Sequence, residues 1–172
     1  MKEDDSDLVK SKINYYVKKG VLIRLRNGIF AKSSGYEILE AANKILTPSY
    51  ISLETVLQKE GVVFQDYGKT IFVISYQNRE INIGGHTVSF RKIKDLVLTN
   101  SKGINMENGY SIASKERAFL DALYLYKDYY FDHLDSIDWE KAKDILPIYL
   151  SKALTVRFNQ YVKDFGPQID NG

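Results

Sequence analysis

Between Lys115 and Tyr126 the chain places Ala118, Phe119, Leu120, Ala122, Leu123 and Leu125 so closely that a helix here is apolar on nearly every side. A surface helix needs only one apolar stripe, so a helix of this kind has to sit inside the protein with other elements around it. Ser114 is placed to cap its start. A chain of 172 residues, 44% hydrophobic and 27% charged, is able to enclose it. At about 150 residues, folding buries roughly two thirds of the unfolded surface. The length suits one ordinary domain or two small ones, and the composition is that of a globular chain.

The flanking segments supply the surrounding layers. Thr70 to Tyr76 reads as a strand and Gln77-Asn78 as a turn. Arg79 to Ile83 and His86 to Ile93 read as a hairpin closed by Gly84-Gly85. Together they predict a three-stranded antiparallel meander. Upstream, Ser52 is expected to cap a short helix from Leu53 to Glu60, stopped by Gly61. Asp95 to Gly109 reads as a long, polar, irregular connection, and Tyr110 to Ala113 as a short strand leading into the central helix. Asp138 caps a helix from Trp139 to about Leu146, interrupted by Pro147, and a last helix runs from about Ser151 to Asp164 before Gly166-Pro167.

The N-terminal part has a different character. Val9, Ile13, Tyr16 and Val17 form the apolar stripe of a helix over Asp7 to Lys19, with Asp5, Ser6 and Asp7 as cap candidates and Gly20 as its stop. Val21 to Arg26 and Ile29 to Lys32 are β-prone runs separated by Asn27-Gly28, a strong hairpin signal because both turn residues accept positive φ. Seven basic residues and no acid lie between Lys10 and Lys32, against 16 basic and 18 acidic residues from Tyr36 onward. A basic helix followed at once by a basic hairpin has the order of a winged helix's recognition helix and wing, and a localised positive field suits a polyanion. Ser34-Gly35-Tyr36-Glu37 has capping-box spacing for a helix from Tyr36 to Leu46, closed by Thr47-Pro48. The expected division is residues 1–47, a winged-helix part, and 48–172, an α+β part with the meander and C-terminal helices.

Composition narrows the chemistry. With no cysteine, disulfides, thiolate metal sites and cysteine nucleophiles are excluded, and two histidines, His86 and His133, do not make a histidine-rich metal site. No apolar run reaches the roughly 20 residues of a membrane span. Residues Met1 to Asp7 are acidic and polar, unlike a secretory signal, so a cytoplasmic protein without membrane partner is expected. Glu116 and Asp121 lie five residues apart on one helix, about 140° round, a poor arrangement for paired carboxylate catalysis. Asp121 is expected to be a buried, hydrogen-bonded structural acid and Glu116 a favourable charge in the first turn. Gly84-Gly85 is not a phosphate loop, since no helix with a lysine–serine pair follows it. Neither enzymatic activity nor a cofactor is expected.

Three stretches, in order, resemble the AbiEi family of transcriptional regulators, the antitoxins of type IV toxin–antitoxin systems. Val17 to Ala31 resembles its wing region. Tyr50-Ile51-Ser52-Leu53-Glu54-Thr55-Val56-Leu57 resembles its YISLESAL helix start. Ile112-Ala113-Ser114-Lys115-Glu116-Arg117-Ala118-Phe119-Leu120-Asp121-Ala122-Leu123-Tyr124 resembles its IASPEKALLDLLY segment, and the likeness spans roughly Asp7 to Phe165. The resemblance implies a winged helix that binds the operon's own promoter, at inverted repeats in double-stranded DNA, and represses it. It also implies a C-terminal domain that opposes an AbiEii-like nucleotidyltransferase toxin without forming a stable complex with it. A winged helix ordinarily has two helices before the recognition helix. Here that helix opens within ten residues of Met1, so an incomplete winged helix is expected. Its apolar stripe must then dock on the second domain, dock on a partner chain, or stay poorly ordered.

In the DNA reading, Ser11, Asn14, Tyr15 and Lys18 face the duplex, flanked by Lys12 and Lys19. Asn14 reads base edges while the lysines and Ser11 hold phosphates. Arg24, Arg26 and Asn27 on the wing reach the backbone or minor groove, and Lys10 and Lys32 complete the basic set. The bland alternative is a solvated face with Arg24 paired to a neighbouring acid. The other reading is a protein-interaction module without DNA binding. There Tyr124, Tyr126, Tyr129, Tyr130 and Phe131 form either a binding patch or the rim of the core. Reading inverted repeats calls for homodimer contacts or DNA-mediated cooperativity.

Overall fold

The computed structural model describes residues 3–32 and 35–166. The first helix, α1 (Glu3–Lys18), starts ahead of Asp5, Ser6 and Asp7, so these expected caps lie within it. It ends at Lys19-Gly20, and the amides of Val21 and Leu22 turn back onto the Tyr16 carbonyl. The hairpin β1 (Ile23–Arg26) and β2 (Ile29–Ala31) closes through Asn27-Gly28, with Gly28 at φ 83° where a side chain would be strained. Next comes α2 (Ile38–Ile45), two residues shorter at its start than expected, whose first turn is capped by the Glu37 carboxylate accepting from Leu39 N. Ser34, the expected capping residue, lies outside the described residues, as does Pro167.

A six-stranded mixed sheet forms the centre. Its strands are β3 (Ser49–Ile51), β4 (Thr70–Ser75), β5 (Arg79–Ile83), β6 (His86–Lys92), β7 (Ile104–Glu107) and β8 (Tyr110–Ala113), in the order β5-β6-β4-β3-β8-β7. The expected meander is corrected here. β6 lies between β5 and β4 and runs parallel to β4, with Val73 opposite Phe90, while β5 is antiparallel at the edge. The three residues joining β4 to β5 therefore arch over the end of β6, where the Asn78 side chain accepts from Lys92 N. Two further corrections concern connections. The Asp95 to Gly109 stretch contains a short helix, α4 (Asp95–Leu98), and the strand β7, paired antiparallel with β8 across Asn108-Gly109. Ser52 does not cap α3 (Glu54–Lys59), whose start at Leu53 has no side-chain cap; its hydroxyl is used elsewhere.

Both faces of the sheet's central strands carry helices. Adjacent strand residues point to opposite faces. Ser49 is held by Asn43 of α2, whereas the Tyr50 hydroxyl reaches Asp121 on the central helix α5 (Lys115–Leu125). α5 is buried from Glu116 to Leu123 and capped by the Ser114 hydroxyl, as its all-round apolar character requires. Around it pack α3, α6 (Trp139–Ile145, capped by Asp138), a 3-10 turn at Leu146–Tyr149, and α7 (Lys152–Phe165, capped by Ser151). Ala42 and Leu46, at the end of the segment read with the winged-helix part, belong to this same core. Phe131 is buried and Tyr124, Tyr126 and Tyr129 are half-buried against the core, leaving Tyr130 as the exposed member of the aromatic run.

Candidate nucleic-acid interface

α1 and its hairpin project the basic segment. Lys10, Ser11, Lys12, Asn14, Tyr15, Lys18, Lys19, Arg24, Arg26, Asn27 and Lys32 are all exposed. Ser11, Asn14, Tyr15 and Lys18 stand at i, i+3, i+4 and i+7, on one face of the helix. One hydrogen bond joins helix to hairpin: Arg24 Nη2 donates to Asn14 Oδ1 at 2.6 Å. The expected alternative of an acid partner for Arg24 is thus replaced by a neutral amide, which leaves the guanidinium charge uncancelled. The bond also occupies the amide oxygen, so Asn14 offers its NH2 as donor. Arg24 lies over the Phe30 ring, 5.5 Å from its centre, and Lys19 lies 5.8 Å from that of Tyr15. Lys10 makes an exposed ion pair with Asp7, an interaction worth little in water.

The hairpin leans on the main sheet at β5, and the Tyr36 hydroxyl lies against Gly84 of the β5–β6 turn. Between hairpin and α2 runs a groove of about 630 Å³ lined in part by Ile29, Lys32, Tyr36, Glu37, Glu40 and Lys44.

The two motif-bearing stretches of the C-terminal part meet in a buried polar network of which the sequence pointed only to Asp121. Ser52 donates to Asp121 Oδ2 at 2.7 Å, and Tyr149 and Tyr50 donate to Oδ1 at 2.6 and 3.2 Å. Arg117 approaches the same carboxylate at 3.4 Å and donates to Tyr50 and to the carbonyls of Val97 and Lys102. Arg117 and Asp121 are both fully buried. Burial pushes the Asp121 carboxyl up, opposed by Arg117 and the three hydroxyls. Burial would lower Arg117, but Asp121 and the two tyrosines outweigh it and keep the guanidinium charged. Each polar atom of Asp121 is engaged, so the network joins β3, α5, the 97–103 segment and the 3-10 turn. The i,i+4 arginine–aspartate spacing on an otherwise apolar helix was the signal available for it. Glu116 is buried beside Lys141 at 3.0 Å; burial raises its carboxyl, and its own amide and Lys141 prevail and lower it.

Among the described residues no group of three or more histidine, aspartate or glutamate side chains is placed to hold a metal ion, and no helix is long and apolar enough to cross a membrane. Comparison with protein-family models, with curated proteins and with solved structures gives no match.

Proposed function

We propose that α1 and the β1–β2 hairpin act as the reading head and wing of a DNA-binding autorepressor of a type IV toxin–antitoxin operon, an AbiEi-like antitoxin working in the cytoplasm. One observation carries the reading. The seven basic residues of the acid-free segment lie on a single helix and hairpin, all exposed and joined through Arg24 and Asn14. That geometry lets the helix present Ser11, Asn14 and Lys18 to a groove while Arg24, Arg26 and Asn27 reach the flanking backbone. The C-terminal part opposes a nucleotidyltransferase-like toxin, and this half of the proposal rests on the motif resemblance. Growth rescue when the chain is co-expressed with a neighbouring toxin gene tests it; no rescue removes the antitoxin role.

Fluorescence anisotropy against the chain's own upstream DNA and a scrambled duplex, at two salt concentrations, tests the DNA role. Preference for the upstream DNA with a steep salt slope is expected. Lys18→Ala with Arg26→Ala should weaken binding to both duplexes and flatten the slope by about 0.9 for each phosphate that is no longer neutralised. Unchanged affinity would remove helix and wing from the interface. The second reading, an interaction module without DNA binding, is favoured by one feature: on the apolar face of α1, Val9 and Tyr16 are exposed.

A further inference from the structure

We infer that α1 pairs antiparallel with α1 of a second copy of this chain, through the face opposite the one offered to DNA. The apolar stripe is only partly covered inside the protein, with Ile13 and Val17 half-buried and Val9 and Tyr16 exposed. No α1 side chain described is buried, and Leu8, Val9 and Tyr16 are 56%, 52% and 46% exposed. Of the three expectations for the stripe (docking on the second domain, docking on a partner chain, or poor order), a formed helix with Val9 and Tyr16 exposed favours the partner chain. Val9, Ile13 and Tyr16 follow the 4-3 spacing of a coiled-coil seam.

Charge chooses the occupant and its direction. Glu3, Asp4, Asp5 and Asp7 fall in the first turns of α1, and Lys10, Lys12, Lys18 and Lys19 follow to its end. A parallel pair would set acids against acids, lysines against lysines, and helix dipoles side by side. An antiparallel pair sets the acidic end of each copy against the basic end of the other. The register that seats Val9 against Ile13 of the second copy brings residue 5 beside Lys19 of that copy, twice by symmetry. Lys12 meets itself near the axis, where its long stem lets the ammonium reach water. Ser11, Asn14 and Lys18 remain on the outer side, so pairing and DNA binding do not compete.

A helix of 16 residues is about 24 Å long, and such a pair buries less than the roughly 1,200 Å² of a standard stable interface. A weak, concentration-dependent dimer is expected, with a dissociation constant on the order of 10 µM. Sedimentation velocity from about 1 to 300 µM, without DNA, reads it. Val9→Gln with Ile13→Gln should weaken pairing at least about 100-fold, with circular dichroism and melting of the protein otherwise kept, since neither side chain belongs to the core. A monomer at every concentration, or a dimer indifferent to the double change, would overturn the inference. Orientation is read by crosslinking, because the chain has no cysteine of its own. Mixed under mild oxidation, Asp5→Cys and Lys19→Cys chains should form the mixed disulfide in preference to either homodimer. Homodimers alone would overturn the antiparallel arrangement. The pairing does not rest on the DNA reading: each experiment can fail while the anisotropy titration succeeds, and the reverse.

Discussion

Asp121 shows what one buried carboxylate can organise. It accepts from Ser52, Tyr50 and Tyr149 and stands beside Arg117, so segments distant in sequence converge on two oxygens. A buried ion pair is not in itself strongly stabilising, because both charges lose their hydration, but removing one partner leaves the other buried alone. Asp121→Ala is therefore expected to lower stability by about 3–5 kcal/mol, read from the urea midpoint. A loss below about 1 kcal/mol would mean that the Val97 and Lys102 carbonyls alone suffice to hold Arg117. Expecting Asp121 to be a structural acid was possible because a carboxylate on an apolar helix has to find donors. The burial of Arg117 was not legible in the same way. Besides Asp121 at i+4, its partners are backbone carbonyls at 97 and 102 and a tyrosine from β3, and to these no local spacing points.

At the scale of elements, short-range chemistry was legible and pairing was not. Ser114 and Asp138 cap their helices and Asn27-Gly28 closes its hairpin as expected, since each rule acts within a few residues, while Ser52 leaves α3 uncapped because its hydroxyl turns to Asp121. Asn108-Gly109 carries the same turn signal and does close a hairpin, but the polar run before it hid β7, whose Asn105 and Met106 are exposed. β3 is three residues long and directly follows Pro48, too short for any alternation to be read. The segment from α4 into β7 passes close to α5 and α6 at Gly103. Gly103 has φ 74°, and a Cβ there would lie 2.8 Å from Ile145 Cδ1 and 2.9 Å from Arg117 Cβ. Gly103→Ala should cost about 1–3 kcal/mol through strain and overpacking. Thermal unfolding checks it; an unchanged melting temperature would show that α6 yields freely.

Across the whole molecule, burial of tyrosines gives the fold an alkaline limit. Of 13 tyrosines, Tyr50 and Tyr149 are held well above the usual phenol range by burial and then by Asp121. Tyr126 is pushed up to about 12 by burial and by Glu54, and Tyr129 is raised by burial and Tyr67. A group whose pKa is raised on folding contributes its stability in full below the unfolded value and loses it as pH climbs to the folded one. For these phenols the window opens near about 10, the unfolded value, and extends to about 12 for Tyr126. Tyrosinate absorbance for this group should rise together with loss of circular dichroism in that window. In denaturant the tyrosines should titrate as one class near about 10. Their full ionisation with native dichroism retained would contradict their burial.

The short helix α4 and the true starts of α1 and α2 were not legible in the chain, whereas the other helices, the Asn27-Gly28 and Gly84-Gly85 turns, the central place of α5 and the gathering of positive charge were. The legible features follow from spacings shorter than about two helical turns, where backbone geometry and the side chain's own donors decide. Long-range packing alone put β6 between β4 and β5, joined both halves of the sheet through β3, and drew Arg117 and Asp121 into one buried network. Packing also left Val9 and Tyr16 of the α1 stripe exposed. Period and propensity report which face of a strand or helix is apolar. Which neighbour covers that face depends on the loop closures and packing that bring remote segments together, and no local pattern encodes them.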